Sequence, residues 1–223
     1  QEGFPADRVC TVCNSVDTTC EAAMHDAVSQ EEIRATRQQF GMAPSSRLVS
    51  YCGSLYKAKR VDMLLKACAE VRRSGIDLHL AIIGDGKDRA MLETLCSRVE
   101  WMHTVGSAHG IEKARYLAAS DCMVIPGVVG LAVVDAFAHK CPLVTTKTRG
   151  HGPEIEYLHD GINGLFTSEN AAAFSLGIRR LLTDSALHQR LQSGCRESAS
   201  QITVENMVER FSKGVLVALH GAH

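Results

Sequence analysis

Short apolar runs alternate with amphipathic stretches along the chain from Arg47 onward. The apolar runs predict strands at 48–52, 78–83, 99–105, 122–125 and 143–145. The stretches between them carry apolar residues at helical spacing, as in 61–71, 88–98 and 112–119. Because these runs are apolar throughout rather than alternating, they are typical of parallel strands that helices cover on both faces. We therefore predict an α/β fold with a doubly wound parallel sheet.

The two ends of the chain depart from this alternation. Three helical patterns follow one another near the C-terminus, at 171–183, 186–198 and 204–219, and we predict that they form a helical layer on the sheet. The first 46 residues hold one strand candidate, 8–12, and a polar helix, 29–40. We predict a lead-in segment over 1–46 and one domain over 47–223.

Composition narrows the classes of protein. The chain has 223 residues, 45% hydrophobic and 22% charged, with a net charge of −1, and no apolar run approaches the roughly 20 residues of a membrane-spanning helix. Without a block of like charges, a nucleic-acid partner is disfavoured. The nine cysteines are scattered and odd in number, and the first residues show no secretory signal, so we expect a reduced, cytoplasmic protein. Cys10 and Cys13 lack the second pair of ligands that a zinc site needs.

Glycines and basic residues follow the first predicted strand. Gly53 and Ser54 come directly after it, and Lys59 and Arg60 close the loop before the next helix. Ligands of open parallel sheets bind beyond the carboxyl ends of the strands, where glycine lets a phosphate approach and a cation neutralises it. Two interpretations stay open: an anion site in which Lys59 faces solvent until the ligand arrives, or a simple turn with solvated cations.

A second pair of glycines, Gly84 and Gly86, follows the second predicted strand. A dinucleotide-binding loop would carry a third glycine at position 89, where the chain has Arg89. The motif also does not follow the first strand of the sheet. A strand-to-helix turn explains these glycines at least as well as nicotinamide binding does.

The densest set of candidate residues follows the fourth predicted strand. A loop from Gly127 to Gly130 leads into a helix that we expect to begin near Gly130 or Leu131, where free N–H groups favour a diphosphate. Asp135 lies about a turn and a half further on, placed either to accept hydrogen bonds from a ribose or to interact with the helix dipole. His151 is a candidate sugar contact on a later loop, and the nearby Glu154 is better explained as a helix first-turn acid.

Several segments share residues, order and spacing with the motifs of one enzyme family. The matching segments are Asn14-Ser-Val-Asp17 (N-G-V-D in the family), Gly53-Ser-Leu…Lys59-Arg-Val-Asp62 (G-R-L…K-G-V-D), Gly84-Asp-Gly86 (G-x-G), Asp135-Ala-Phe-Ala-His-Lys-Cys-Pro142 (E-A-M-A-x-G-x-P) and Pro153-Glu154-Ile…Asp160-Gly161…Asn163-Gly164 (P-E-I…D-G-x-N-G). They resemble the C-terminal, nucleotide-sugar-binding lobe of GT-B retaining glycosyltransferases of family 4, also called group 1. The resemblance runs from Asn14 almost to the end and implies a Rossmann-like sheet.

The resemblance implies roles for the matching positions. Lys59, helped by Arg60, would contact the donor diphosphate, the N–H groups of Gly130 and Leu131 would hold the distal phosphate and sugar, and Asp135 would bind the ribose. The full candidate donor-binding set is Gly53, Ser54, Lys59, Arg60, Gly84, Gly86, Gly127, Gly130, Leu131 and Asp135, with His151 as a sugar contact.

Two positions depart from the family pattern. Gly127 stands where the family has the first acid of its E-x7-E pair, which removes the usual sugar contact. Ser54 stands where the family usually has an arginine, which leaves Lys59 as the main cation for the diphosphate.

The resemblance implies a donor domain for retaining transfer of a hexose from a UDP-, GDP- or ADP-sugar to a glycan or lipid-linked acceptor. The acceptor side would come from a missing N-terminal lobe, which would also bring the enzyme to the membrane surface, so catalytic residues stay unassigned. We expect neither a metal nor a cofactor, because Lys59 and the N–H groups can carry the compensating charge. The alternatives are a non-catalytic nucleotide-binding module and an NAD-dependent oxidoreductase.

Overall fold

The computed structural model describes residues 9–220, and its centre is a parallel sheet. Six strands form this sheet: β1 (Arg47–Cys52), β2 (Leu78–Ile83), β3 (Met102–Gly106), β4 (Cys122–Ile125), β5 (Leu143–Thr146) and β6 (Gly164–Thr167). Their order is β3-β2-β1-β4-β5-β6, and every neighbouring pair is parallel. The strand order reverses between β1 and β4, which is where open α/β sheets place their ligands. The predicted doubly wound α/β fold is confirmed.

Helices cover the sheet. They are α1 (Thr18–Ala27), α2 (Gln30–Gln39), α3 (Val61–Arg73), α4 (Arg89–Cys96), α5 (Gly110–Ala118), α6 (Ala132–Ala138), α7 (Ala171–Thr183), α8 (Ser185–Gln201) and α9 (Val204–His220), with 3-10 turns at Lys57–Lys59 and Pro153–Tyr157. The helices form two groups. In one group α3 packs against α7, and α7 also contacts β4, β5 and β6. The other group consists of α1, α2, α5, α6 and α8, which are joined by contacts between α1 and α5, α6 and α8, between α2 and α5, and between α6 and α8. Among the described helices, none is long and apolar enough to cross a membrane.

The core explains why the apolar runs became strands. All residues of β2, β4 and β5 are buried, as expected for strands covered on both faces. Leu64 of α3, Phe137 of α6 and Phe174 of α7 are fully buried as well. Burial of each such side chain stabilises the fold by about 1.5–3 kcal/mol. The α/β alternation seen in the sequence is therefore the alternation of core strands and covering helices.

Two elements were not predicted, and one prediction fails. Helix α1 was not predicted because it has no apolar stripe. Strand β6 was not predicted because it is four residues long and only half-buried at its end. Of the predicted strand 8–12, residue 8 lies outside the described residues, and 9–12 form no strand. The third strand begins at Met102 rather than at 99.

The lead-in segment lies on the domain. Helix α1 packs against α5 and α6, and α2 packs against α5. A capping box starts α2, since the Ser29 side chain accepts the Glu32 N–H and the Glu32 side chain accepts the Ser29 N–H. The boundary at residue 46 stays a prediction.

Candidate functional site

The loops after β1, β2 and β4 pack backbone against backbone at the carboxyl edge of the sheet. A Cβ built on Gly84 would lie 1.9 Å from the Gly53 carbonyl oxygen, and one on Gly86 would lie 2.2 Å from the Leu55 carbonyl oxygen. A Cβ built on Gly127 would lie 2.0 Å from the carbonyl oxygen of Ala58. Glycine is therefore required at 84, 86 and 127 because another loop fills the space of a side chain.

Hydrogen bonds fix the close approach of the first and fourth loops. The Gly127 N–H donates to the Lys59 carbonyl at 3.2 Å, and the Val128 N–H donates to the Ala58 carbonyl at 3.0 Å. The 3-10 turn at Lys57–Lys59 and the positive φ of Arg60 (55°) bring these carbonyls over the end of β4. The loop that carries Lys59 and the loop that leads into α6 thus form one unit.

Lys59 is buried, with 6% of its surface exposed. Its Nζ donates to the Val129 carbonyl at 3.1 Å, and within residues 9–220 it has no carboxylate partner. Burial lowers the pKa of Lys59. The expectation that Lys59 faces solvent without ligand is wrong, because the 3-10 turn folds it inward. A buried ammonium that lacks a counter-ion has lost hydration without full compensation, which favours an anion nearby.

The backbone of Val129 is held at both its carbonyl and its N–H. Lys59 binds its carbonyl, while its N–H donates to His151 Nδ1 at 3.3 Å. The other ring nitrogen of His151, Nε2, is 2.7 Å from the Thr146 carbonyl, so Nε2 carries the proton. Both nitrogens of the half-buried His151 therefore contact protein, and the contact to sugar stays a prediction.

Open space begins directly after Val129, at Gly130. Gly130 has a φ of 63°, and a Cβ built on it would have nothing within 4 Å. In the part of the chain that the structure describes, the N–H groups of Gly130 and Leu131 donate to no protein acceptor. Two free N–H groups thus follow the residue whose carbonyl holds the Lys59 ammonium. Free backbone N–H groups in a glycine loop are donors that the oxygens of an anion can accept.

The remaining candidates of the first loop have partners of their own. Arg60 forms an ion pair with Glu169, with 2.7 Å between Nη1 and Oε1. Ser54 is exposed, and its carbonyl accepts a hydrogen bond of 2.7 Å from the Tyr51 hydroxyl. Arg60 would have to leave Glu169 before it could assist Lys59 at a phosphate.

Asp135 of α6 lies in an ion-pair cluster. Its Oδ1 is 2.8 Å from Lys113 Nζ of α5, and the same ammonium is 3.0 Å from Glu21 Oε1 of α1. Burial raises the pKa of Cys52, the last residue of β1, to about 12, and the charge of Asp135 is the next cause. Asp135 follows the Gly127–Gly130 loop that hydrogen-bonds to the Lys59 turn, so it lies in the helix that leaves that loop.

Comparison with known proteins identifies the family of the chain. The family model of the glycosyl transferases group 1 matches residues 46–184. The chain belongs to this family. It is 25% identical over 158 residues to the GDP-mannose-dependent alpha-(1-6)-phosphatidylinositol dimannoside mannosyltransferase of Mycobacterium tuberculosis, covering 69% of this chain and 40% of that protein. It is 24% identical over 148 residues to alpha-monoglucosyldiacylglycerol synthase of Acholeplasma laidlawii, covering 64% and 36%.

Solved structures show the same fold. The crystal structure of Anabaena HepE in complex with UDP and glucose superposes with a TM-score of 0.74 at 18% identity, covering 91% of this chain and 55% of that chain. The chain spans about half the length of this structure and less of the curated relatives. The predicted GT-B-type, Rossmann-like domain is therefore confirmed.

The structure gives physical reasons for two departures from motifs. At Gly127, where the group 1 pattern has an acid, a side chain would collide with the backbone of Ala58. Arg89, which stands at the third glycine of the dinucleotide pattern, forms ion pairs with Asp85 at 2.8 Å and Glu93 at 2.7 Å. The packing of the two loops therefore excludes an acid at 127. Arg89 takes part in a surface ion-pair network at the start of α4.

Sequence reasoning missed the partners of Asp135. Glu21 comes from the helix that the hydrophobic pattern did not reveal, and Lys113 comes from the polar side of α5. His139, which follows α6 as its C-terminal cap, completes the cluster, with its Nε2 3.0 Å from Glu21 Oε2. The i, i+4 spacing of Asp135 and His139 was the one available signal, since it places both on the same helix face.

The cluster also has the composition of a metal site. Ligand atoms of Glu21, Asp135 and His139 lie within 4.8 Å of one another. The Lys113 ammonium already contacts both carboxylates, so a divalent cation would have to displace it. The absence of a metal requirement stays a prediction.

Proposed function

We propose that this chain is the donor domain of a glycosyltransferase and binds a nucleoside-diphosphate sugar at the carboxyl edge of the sheet. The observation that carries the proposal is the buried Lys59 ammonium, which holds the peptide before Gly130 and lacks a carboxylate partner among the described residues. The free N–H groups of Gly130 and Leu131 follow it directly. A diphosphate would supply the counter-charge that Lys59 lacks and acceptors for both N–H groups.

The proposed reaction is retaining transfer of a hexose to a glycan or lipid-linked acceptor. Lys59 would stabilise the negative charge that develops on the leaving nucleoside diphosphate, which needs no metal or cofactor. Support for a lipid-linked acceptor comes from two of the curated relatives, whose names state a phosphatidylinositol dimannoside and a monoglucosyldiacylglycerol. We assign the acceptor site to an N-terminal lobe, and its catalytic groups are not among the residues proposed here.

A ligand screen tests the donor site. We expect at least one of UDP, GDP and ADP to show saturation-transfer NMR signals with the 223-residue protein, because the Lys59 site recognises a diphosphate and not a particular base. Of the three nucleotides we expect UDP to bind most tightly, since the structure of HepE contains UDP and glucose. NAD serves as the comparison ligand. Binding of NAD alone would contradict the proposal and favour the oxidoreductase alternative.

The packed Gly127 favours a second candidate, a nucleotide-binding module without transfer activity. In that case the loss of the family acid at 127 would remove a contact needed for turnover, while Lys59 and Asp135 would still bind the nucleotide. Donor turnover by the enzyme joined to its acceptor lobe separates the two functions. Nucleotide binding without transfer or donor hydrolysis would establish the module.

Asp135→Asn tests the ribose contact. The amide keeps the shape of the carboxylate but accepts hydrogen bonds through one oxygen only. We expect the affinity for UDP to fall about tenfold, and the affinity for 2′-deoxy-UDP to fall less, because a charge-assisted hydrogen bond contributes about 1.5–3 kcal/mol. Paired calorimetric titrations measure the ratio; GDP and 2′-deoxy-GDP replace the uridine pair if UDP does not bind. Equal losses for both sugars would remove Asp135 from the ribose site, and a melting shift without a binding change would leave it a structural acid.

A further inference from the structure

Lys113 is the centre of the cluster around Asp135. Its side chain is 12% exposed, and its two carboxylate partners, Glu21 and Asp135, are 17% and 20% exposed. The three residues come from three helices, α5, α1 and α6, so the cluster exists only in the folded domain. A single ammonium therefore separates two carboxylates at the edge of the candidate donor site.

The two carboxylate oxygens of Asp135 differ in their contacts. Lys113 holds Oδ1 at 2.8 Å, and among the described residues Oδ2 has no hydrogen-bond partner. Burial works against the charge of Lys113, but Asp135 and Glu21 outweigh it and raise the pKa of the lysine. The lysine thus stays charged at neutral pH and fixes one oxygen of Asp135 while leaving the other open.

The far side of the cluster anchors Lys113. His139 is fully buried, and its Nε2 lies 3.0 Å from Glu21 Oε2. This hydrogen bond is the largest cause of the lowered pKa of Glu21, followed by the contacts with Lys113 against the opposing effect of burial. Glu21 is therefore a carboxylate held from the other side by His139, and Lys113 lies between it and Asp135.

We propose that Lys113 is a positioning residue of the donor site, which holds Asp135 so that its free oxygen meets the ribose hydroxyls and selects ribonucleotides over 2′-deoxyribonucleotides. This inference rests on the proposed function, in which Asp135 binds the ribose. Lys113 does not touch the nucleotide. It acts by fixing one rotamer of Asp135 and by offsetting the repulsion between Asp135 and Glu21, whose oxygens lie within 4.8 Å of each other.

Lys113→Met tests this role, because methionine keeps the length and apolar stem of lysine but removes the ammonium. Without it the two carboxylates face each other, and Asp135 is expected to turn away from Glu21 and lose its fixed orientation. We expect the affinity for UDP to fall about fivefold or more and the affinity for 2′-deoxy-UDP to change less than about twofold. The ratio of the two affinities should approach that of Asp135→Asn. The exposed Lys66 of α3 offers the matched control, and Lys66→Met should keep both wild-type affinities.

The outcomes separate the inference from the function on which it rests. If wild type prefers UDP, Asp135→Asn loses the preference and folded Lys113→Met keeps it, Lys113 does not position Asp135. If wild type binds no nucleoside diphosphate, or binds UDP and 2′-deoxy-UDP equally, the proposed ribose contact itself is wrong. Thermal melts check folding, and if Lys113→Met does not fold, Lys113→Gln, which retains a polar head, is subject to the same comparison.

Discussion

Gly127→Ala is expected to lower the free energy of unfolding by about 1–3 kcal/mol and to weaken nucleotide binding. The reason is steric, since the added Cβ would lie 2.0 Å from the Ala58 carbonyl oxygen and 2.8 Å from the Lys59 Cα. One of the two loops must move, and the movement breaks the bonds that Gly127 and Val128 make to the Lys59 turn. Displacement of that turn carries the Lys59 ammonium away from the Gly130 loop. Denaturant unfolding measures the first effect, and titration with UDP measures the second.

Gly150→Ala is the matched control for this prediction. A Cβ on Gly150 would have its nearest neighbours at 3.5 Å and 3.8 Å, which is ordinary van der Waals contact, and Gly150 lies on the loop after β5. We expect its free energy of unfolding to stay within about 0.5 kcal/mol of wild type. If Gly127→Ala matched Gly150→Ala in stability and in nucleotide affinity, the two loops would be able to move apart without cost. The close packing at Gly127 would then not explain why the family acid is absent from position 127.

The sheet was predictable because its signal is local. Each central strand is a mostly apolar run, since both faces are buried, and no knowledge of distant residues is needed to see it. Helix α1 had no such signal: its ten residues, TTCEAAMHDA, bury only Thr18 completely. A side-chain cap by Asp17 on the Cys20 N–H starts the helix, and its packing against α5 and α6 keeps it in place. Tertiary contacts decided an element that periodicity could not.

The candidate site divides in the same way. Motif order indicated that Lys59, Gly130 and Asp135 belong to one sheet edge, because each follows or lies near the carboxyl end of a strand. It could not indicate that Lys59 is buried, since burial depends on the 3-10 turn that Gly127 permits. It also could not indicate the pairing of Asp135 with Lys113, because contacts between separate helices leave no pattern in the spacing of either helix.

Lys59→Met is expected to reduce affinity for the nucleoside diphosphate about tenfold to a hundredfold, as one charge-assisted contact contributes about 1.5–3 kcal/mol. Methionine fills the buried channel of the lysine stem but cannot hold a phosphate. The variant loses the hydrogen bond to the Val129 carbonyl. It also removes the cost of burying a charge, so the free energy of unfolding should change by less than about 1 kcal/mol. Calorimetric titration and denaturant unfolding of the same preparation provide both numbers.

The neighbouring lysine supplies a strict comparison. Lys57 belongs to the same 3-10 turn but is exposed, so Lys57→Met changes the net charge of the loop by the same amount without touching the buried site. A long-range attraction of the nucleotide to a basic loop would make the two variants lose similar affinity, and that loss would shrink with added salt. A contact between the buried ammonium and the diphosphate instead confines the large loss to Lys59→Met. Unchanged affinity in folded Lys59→Met would place the diphosphate elsewhere and contradict the donor site, because the proposed site rests on the buried Lys59 ammonium.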